Sequence, residues 1–411
     1  MIYPDDLGAA DQQCLLPGKE IQANKQLLGM DLSHLKVAVV HEWLTTYAGS
    51  EKVTQQILNL FPQADLFAVI DFLPERDRQF LTGRRITTSF IQRLPKARRY
   101  YRSYVPLMPL AVEQFELSGY DLVISSNHAV AKGVITGPNQ IHISYIHTPM
   151  RYAWDLQHQY LRESGLQLGL KSWITRCFLH YLRMWDVRTA NGVDYFLANS
   201  AFIARRVRKV YGKPAKVIYP PVDVERFKLR QEKEGFYLAA SRMVPYKHMV
   251  LIAKAFAAMP DKQLVMIGEG VELEKVRAIA DRVQNIKVLG FQVDEVLADY
   301  MGRARALVFA AEEDFGIMPV EAQACGTPVI AFAGGGVLET VIADVDPRLR
   351  TGLFFDRQSV DSLQQAIHQF ESMGQFDPEV CRSNALRFSQ KIFTDSLLQV
   401  VEAALAEFGA A

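Results

Sequence analysis

Short apolar runs recur along most of this chain, and the segments between them are long enough to form helices. The first run is LKVAVV, residues 35–40, and later ones include DLFAVI, DLVISS and IHISYI. Runs of this length, separated by longer crossovers, are typical of buried parallel strands that helices cover on both faces. The pattern therefore predicts an α/β fold built on parallel sheets.

The alternation of strands and helices occurs twice along the chain. It stops at a charged stretch, residues 228–235, and restarts with FYLAAS, QLVMIG, ALVFAA and TPVIAF. A chain of 411 residues has room for two domains. We predict two Rossmann-like, doubly wound domains, residues 35–225 and 226–380, with a cleft between the carboxyl ends of their strands.

Both ends of the chain are predicted to lie outside these domains. Residues 1–34 have weak periodicity, which indicates an irregular N-terminal extension. Residues 381–411 carry the amphipathic patterns NALRFSQKIF and SLLQVVEAALAEF, which predict C-terminal helices. We expect the last helix to pack across both domains.

Composition and charge exclude several classes of protein. The chain has 49% hydrophobic and 22% charged residues, a net charge of +1, and a balance that suits a globular enzyme. Its first 225 residues hold 26 basic and 20 acidic residues, which is too weak a bias for nucleic-acid binding. No stretch approaches the roughly 20 apolar residues that span a bilayer, and no signal-peptide pattern opens the chain. We expect a cytoplasmic protein.

The four cysteines are scattered along the chain. Cys14, Cys177, Cys325 and Cys381 show no CxxC spacing and have no histidines at the spacing of zinc ligands. We expect buried, reduced thiols and no metal site.

The segment EDFGIMPVE carries the strongest signal for chemistry. It follows the apolar run ALVFAA and enters a predicted helix, residues 318–325. The backbone N–H groups of Phe315, Gly316 and Ile317 would lie at the start of that helix, where free donors and the helix dipole favour a diphosphate. Glu313 precedes the helix and Glu321 lies about one turn inside it, at most about 12 Å away along the helix axis. The two acids can therefore contact opposite ends of one elongated ligand.

A second group of charged residues follows the first strand of the second domain. In AASRMVPYKHM, Arg242 follows the strand and Lys247 is predicted to open the next helix. Arginine binds phosphate with two parallel hydrogen bonds and lysine adds a point charge, so this pair suits a nucleoside diphosphate. Two exposed cations in an ordinary loop are the alternative, and the acidic motif in the same domain favours phosphate binding.

Two further segments of the first domain are placed at the ends of predicted strands. Gly49, in the loop after the first strand, would let the backbone approach a phosphate, although no complete phosphate-binding pattern surrounds it. His147, in SYIHTPMRYAWD, can hydrogen-bond a sugar hydroxyl or a developing charge. His41 and Glu42 end the first predicted strand and would face the same cleft as His147. The alternative interpretations are a tight turn at Gly49 and a structural role for His147.

A basic stretch of the first domain begins at Arg76 and ends at Arg102. It holds nine Lys or Arg and one acidic residue, interleaved with aromatic and aliphatic residues. Such a mixture can lie on anionic lipid, which would make the protein peripheral on the inner face of the membrane, but a solvated basic surface explains it equally well. KSWITRCFLHYLRMW, from Lys171, is a second candidate that can also be a core helix.

These motifs, in this order, resemble the retaining glycosyltransferases of family 4, which have the GT-B fold. The resemblance rests on Glu313 and Glu321 with FG between them, on Arg242 with Lys247, on the IYPPVD turn and on the Gly49 loop. It covers nearly everything from residue 36 to the final helix. The segments VVHEWLTTYAGSEKV and HTPMRYAWD look most similar to the mannosyltransferase branch that assembles O-antigens and exopolysaccharides.

The resemblance implies a role for each charged residue of the second domain. Glu313 would hold hydroxyls of the transferred sugar, and Glu321 would hold the ribose. Arg242 and Lys247 would bind the diphosphate and offset the charge that develops on it. Members of the family need no metal and retain the anomeric configuration.

The resemblance also assigns two residues of the first domain. Gly49 would approach the diphosphate, and His147 would contact the donor sugar near its anomeric carbon. The branch usually has two glycines in the first loop, whereas Ala48 precedes Gly49 here.

The sequence leaves the donor and the acceptor open. The resemblance implies transfer of a hexose, mannose from GDP-mannose, to a lipid-linked or growing glycan acceptor, with a UDP-sugar as the alternative donor. A nicotinamide dehydrogenase would carry a glycine fingerprint after the first strand, which residues 45–52 lack. A catalytically silent sugar-nucleotide-binding protein is the remaining alternative, and the oligomeric state is left open.

Overall fold

The computed structural model describes residues 32–409. Cys14 and all but the last three residues of the predicted N-terminal extension, residues 1–34, lie outside that range. From Lys36 onward the described chain forms one compact unit, which contains both predicted Rossmann-like halves.

The first half of the described chain forms a sheet of seven parallel strands. They are β1 (Val37–Leu44), β2 (Asp65–Asp71), β3 (Ile86–Thr88), β4 (Leu122–Asn127), β5 (Ile141–Ile146), β6 (Tyr195–Ala198) and β7 (Lys216–Val217). Their order across the sheet is β3–β2–β1–β4–β5–β6–β7, so the direction of winding reverses between β1 and β4.

The second half forms a sheet of six parallel strands within the described range. They are β8 (Phe236–Ala240), β9 (Gln263–Ile267), β10 (Ile286–Gly290), β11 (Ala306–Phe309), β12 (Val329–Phe332) and β13 (Gly352–Phe355). Their order is β10–β9–β8–β11–β12–β13, and the reversal lies between β8 and β11. Two doubly wound parallel sheets confirm the predicted fold class.

Helices connect the strands of both sheets. Those of the first half are α1 (Gly49–Leu60), α2 (Ala97–Tyr100), α3 (Met108–Glu113), α4 (Gln157–Glu163), α5 (Leu170–Thr189) and α6 (Ala201–Tyr211). Those that follow are α7 (Met249–Ala257), α8 (Leu273–Ala280), α9 (Asp294–Arg303), α10 (Ile317–Ala324), α11 (Val337–Thr340), α12 (Val360–Ser372), α13 (Pro378–Leu386) and α14 (Gln390–Gly409). Within residues 32–409, none of these helices combines the length and the apolar character that crossing a membrane requires.

The apolar runs form strands because both faces of each sheet are covered. Along β9, Leu264 and Met266 pack into the cluster on one face, while Val265 and Ile267 pack into the cluster on the other. Side chains of a strand alternate between the two faces, so the positions of a strand that pack into these two clusters are apolar on both faces. This burial explains why continuous apolar runs, rather than alternating ones, identified the central strands.

Three strands were not predicted from the sequence. β3, β10 and β13 all lie at sheet edges, where a strand pairs on one side only. Lys287 in the middle of β10 is exposed, which an edge tolerates and a central strand does not.

The C-terminal segment joins the two halves. One helix across NALRFSQKIF was predicted, and this is wrong: α13 ends at Leu386 and α14 begins at Gln390. The intervening turn pairs with the linker between the halves, since the carbonyl of Phe388 accepts a hydrogen bond from the N–H of Val222 at 2.9 Å. α13 packs on α10, whereas α14 packs on the first half, with Phe393 against Tyr145.

The cysteines of the described range differ in burial. Cys325 and Cys381 are buried as predicted, but Cys177 is exposed, so the prediction of buried thiols is wrong for that residue. It lies on the face of α5 that points away from the sheet.

Candidate active site

Two loops of the second half open onto the point where the order of its strands reverses. One loop follows β8 and carries Arg242 and Lys247, and the other follows β11 and carries Glu313. Ligands of doubly wound sheets bind in the crevice outside this reversal. The ammonium group of Lys247 forms an ion pair with the carboxylate of Glu313, so the structure brings these two predicted residues together.

The backbone of Glu313 is fixed by a glycine turn that follows β12. The N–H of Gly336 donates to the carbonyl of Glu313 at 2.8 Å, and Gly335 forms a β-bridge with Glu313. Gly335 has φ of +78°, and a Cβ on it would lie 2.1 Å from the carbonyl oxygen of Glu313. A side chain cannot be placed there, so the glycine permits the close approach that orients Glu313.

Helix α10 begins directly after the acidic loop, as predicted. Gly316 precedes the helix with φ of +86°, a conformation that favours glycine, and Ile317 is its first residue. Phe315 is buried between Tyr219 and Phe388, with ring centroids 5.7 and 5.5 Å away. The phenyl ring therefore anchors the loop in the core directly before the first N–H groups of the helix, which have no acceptor within the helix itself.

Glu321 lies in the second turn of α10 and faces the first half. Its carboxylate is 3.4 Å from the ammonium group of Lys52 in α1. Glu313 and Glu321 thus contact different cations, one on each side of the start of α10. That the two carboxylates serve two parts of one ligand stays a prediction.

Arg242 and Lys247 flank a turn rather than a helix start. Lys247 ends a 3-10 turn, and α7 begins only at Met249, after His248 with φ of +54°. The prediction that Lys247 opens the helix is therefore wrong by two residues. Arg242 is exposed and donates to the hydroxyl of Tyr246 at 2.9 Å, which leaves most of its guanidinium free.

Lys247 lies in a setting that disfavours a free charge. Burial, together with the guanidinium groups of Arg242 and Arg151, lowers the pKa of Lys247 to about 7. A phosphate placed among these cations would favour the charged ammonium form. Binding of an anion at this site and protonation of Lys247 are therefore coupled.

Gly49 brings the first half against the start of α10. It is the first residue of α1, and a Cβ on it would lie 3.0 Å from the Cδ1 atom of Ile317. Ala48 has an extended backbone with φ of −137°, and its N–H donates to the carboxylate of Glu51 at 3.0 Å. The second glycine that the branch usually has is not required by this geometry, because alanine adopts that conformation readily.

His147 follows β5 and faces a group of polar side chains in the first half. Its Nε2 is 2.9 Å from the hydroxyl of Ser126. Burial lowers the pKa of His147 to about 3, with a further contribution from His128 and His41, so its imidazole is neutral at pH 7. His41 and Glu42 are fully buried behind this wall of the cleft.

Two acidic residues of the second half contact the first half, and the sequence did not predict either. The carboxylate of Asp314 accepts hydrogen bonds from Arg151 and, at 3.4 Å, from Arg206. Its carbonyl accepts one from the hydroxyl of Ser200 at 2.6 Å. The carboxylate of Glu339 accepts hydrogen bonds from the first two backbone N–H groups of α6, at 2.7 and 2.9 Å. No local pattern marks these contacts, because Asp314 and Arg151 are 163 residues apart.

Two family profiles match consecutive parts of the chain. The family described as Glycosyltransferase Family 4 matches residues 47–226, and the one described as Glycosyl transferases group 1 matches residues 222–387. The chain belongs to glycosyltransferase family 4. The first match ends, and the second begins, at the linker between the two Rossmann-like halves.

The chain is similar in sequence to proteins that are named as glycosyltransferases. It is 31% identical over 204 residues to a GDP-mannose-dependent monoacylated alpha-(1-6)-phosphatidylinositol monomannoside mannosyltransferase of Corynebacterium glutamicum, covering 43% of this chain and 52% of that protein. It is 28% identical over 250 residues to a D-inositol 3-phosphate glycosyltransferase of Mycobacteroides abscessus, covering 55% of each. The chain thus spans about half the length of the curated relatives that it matches.

Solved structures share the fold of this family 4 glycosyltransferase. The Anabaena protein HepE, in complex with UDP, superposes with a TM-score of 0.64 at 17% identity, covering 90% of this chain and all of that one. Sucrose-phosphate synthase from Thermosynechococcus elongatus gives a TM-score of 0.65 at 16% identity, also covering 90% of this chain and 100% of that one. The predicted GT-B architecture is therefore confirmed.

Proposed function

We propose that this glycosyltransferase transfers mannose from GDP-mannose to a lipid-linked or growing glycan acceptor, with retention of configuration. The observation that carries the proposal is the contact between Glu313 and Lys247 at the crevice of the second half, beside the free N–H groups of α10. A carboxylate suits sugar hydroxyls, and an ammonium group beside a helix start suits a diphosphate. The ligand class that combines both is a nucleotide sugar.

The proposed reaction exchanges one bond at the anomeric carbon of mannose. The bond to the β-phosphate oxygen breaks, an acceptor oxygen bonds to the same face, and the acceptor proton passes to the departing GDP. Arg242, Lys247 and the start of α10 would stabilise the charge on the diphosphate, so we propose that no metal ion is needed. Among residues 32–409, no group of three His, Cys, Asp or Glu side chains is arranged to hold one.

The identity of the donor is tested with a panel of nucleotide sugars in EDTA. We expect transfer of mannose from GDP-mannose, because relatives of this chain are named as GDP-mannose-dependent. Product analysis by mass spectrometry would detect a mannosylated acceptor and GDP. Turnover of UDP-sugars alone would contradict the GDP-mannose assignment, and binding without turnover of any sugar would indicate a silent binding protein. Loss of transfer in EDTA would contradict the metal-free reaction.

A lipid-linked acceptor requires the protein to reach a membrane surface, and we propose that two segments of the first half provide that contact. One is the stretch that begins at Arg76 and ends at Arg102, which forms short 3-10 turns, the edge strand β3 and the one-turn helix α2 rather than one long helix. The other is the outer face of α5, where Leu170, Trp173 and Ile174 are 73%, 65% and 55% exposed. The inner sides of both segments pack into one apolar cluster, which places them on the same side of the domain.

The charge of this surface favours an anionic bilayer over a second copy of the chain. The sequence contains no acidic residue from 78 to 112 or from 164 to 185, whereas basic residues occur throughout both ranges. A symmetric dimer through this face would place cations against cations. Anionic lipid neutralises them, and its interface accommodates Trp and Leu side chains.

Vesicle sedimentation tests the membrane contact. We expect binding to vesicles that contain phosphatidylglycerol, weaker binding at high salt, and little binding to phosphatidylcholine alone. Trp173→Ser should lower the affinity for anionic vesicles about tenfold, because a large apolar side chain loses its burial. Phe291→Ser is the matched control, since Phe291 is also 65% exposed but lies in the second half.

Two results would contradict the membrane proposal. One is wild-type binding to anionic vesicles by Trp173→Ser. The other is a wild-type protein that does not bind vesicles but forms a dimer that Trp173→Ser abolishes. That result would assign the same face to self-association.

A further inference from the structure

Glu42 is a fully buried carboxylate with an unusual set of partners. One of its oxygens accepts the backbone N–H groups of four successive residues, 128–131, at 2.7 to 3.1 Å. These residues follow β4, and Glu42 is in β1, so the contact lies where the first sheet reverses. Burial alone would raise the pKa of Glu42, but the imidazole of His128, with smaller contributions from His41 and the N–H of Ala131, outweighs burial and lowers the pKa to about 2.

The other carboxylate oxygen of Glu42 forms an ion pair with Nδ1 of His128 at 2.6 Å. The side chain of His128 is 23% exposed, and its Nε2 has no hydrogen-bond partner within residues 32–409. The ring packs edge-on against Trp43, at 4.5 Å between centroids, which fixes its orientation. An N–H group is therefore held at the surface with a buried anion behind it.

Titratable groups on the neighbouring strands and on α1 face His128 and affect its pKa. Burial alone would lower the pKa of His128, but Glu42 of β1 and Glu51 of α1 outweigh burial and raise it above the ordinary value. His147 after β5 and His41 of β1, with rings 6.4 and 6.2 Å away, are the neighbouring imidazoles. The surroundings of His128 thus favour its charged form, whereas those of His147 favour its neutral form.

We propose that His128, positioned by Glu42, is a substrate-binding cation that donates a hydrogen bond from Nε2 to a phosphate oxygen at the first half's wall of the cleft. It lies beside His147, at the carboxyl ends of β1 and β4, where a doubly wound sheet binds its ligand. The phosphate belongs either to the nucleotide-sugar donor or to a phosphate-bearing acceptor. The inference rests on the proposed transfer reaction.

Glu42→Gln removes the charge and keeps the shape. The amide oxygen can accept the same four N–H groups, while the amide N–H faces Nδ1 and favours neutral His128 with its proton on Nε2. A neutral donor binds phosphate less strongly than a charged one, so we expect kcat/KM at pH 7 to fall about tenfold. His128→Gln, which removes the ring, should lower kcat/KM by roughly a hundredfold.

The pH profile separates a binding role from a structural one. In the wild type the charged form of His128 is present below its raised pKa, so its contribution to kcat/KM is lost as the pH rises through that pKa. Glu42→Gln should lack this alkaline limb, and any limb that it retains belongs to Lys247. An unchanged profile in Glu42→Gln, or activity that instead increases as His128 loses its proton, would overturn the proposal.

Ligand binding identifies the source of the phosphate. A weaker inhibition by GDP in His128→Gln would place the contact on the donor. A raised KM for a phosphate-bearing acceptor, with an unchanged KM for an alkyl mannoside, would place it on the acceptor. Wild-type constants in both measurements would refute the contact, whereas a wild-type protein that neither binds GDP nor transfers sugar would refute the proposed function itself.

Discussion

Glu313→Gln is expected to lower kcat for sugar transfer by roughly 10²–10³-fold, because it removes a charged hydrogen-bond acceptor at the reacting sugar. The substitution keeps the shape of the side chain. The contacts that orient its backbone come from Gly335 and Gly336 and involve only the main chain. The free energy of unfolding should therefore change little, and steady-state kinetics with thermal denaturation measure the two effects separately.

Glu312→Gln is the matched control for this prediction. Glu312 precedes Glu313 in the same loop, but its side chain is exposed and it forms no ion pair within the described residues. The same chemical change there should leave kcat within about twofold, as for an ordinary surface substitution. Wild-type turnover by Glu313→Gln, or an equal loss in both variants, would refute the role given to Glu313.

Gly335→Ala is expected to destabilise the fold by roughly 3 kcal/mol and to reduce transfer, since it combines backbone strain with a steric clash. The added Cβ would lie 2.1 Å from the carbonyl oxygen of Glu313, so the acidic loop must shift. The carboxylate of Glu313 would then lose its position against Lys247. Chemical denaturation and kcat measure the two consequences.

Gly374→Ala isolates the steric part of that effect. Gly374 has φ of +77°, almost the same as Gly335, but no atom lies within 4 Å of the Cβ that alanine would add. Backbone strain alone should cost about 1–2 kcal/mol and leave kcat unchanged. If both glycine variants lost the same stability and kept full activity, the glycine turn would have no role in orienting Glu313.

The sequence determined the architecture because a buried strand requires apolar residues at neighbouring positions of the chain. The central strands are buried on both faces, and they appear as continuous apolar runs such as the one at β9. The edge strands β3 and β10 do not, and they were missed for that reason, whereas β13 was missed although its short sequence, GLFF, is apolar. The break between α13 and α14 was missed because it is set by a hydrogen bond to Val222, far away along the chain.

The candidate site divides in the same way. Glu313, Gly316 and Glu321 lie within nine residues, so one strand, one turn and one helix fix their spacing, and the sequence alone revealed them. The contact of Glu313 with Lys247 also follows from two loops that leave adjacent strands.

Only the tertiary structure decided which charges meet across longer distances. Asp314 meets Arg151, and Glu42 meets the residues after β4, because the parallel sheets bring loops from distant parts of the chain to one edge. The residues around an isolated Glu, Asp or His in the sequence do not indicate which distant residue will be its ion-pair or hydrogen-bond partner. The sequence therefore determined the fold and the position of α10, the helix proposed to bind phosphate, while the ion pairs that join the halves and hold His128 in place depend on contacts that form only on folding.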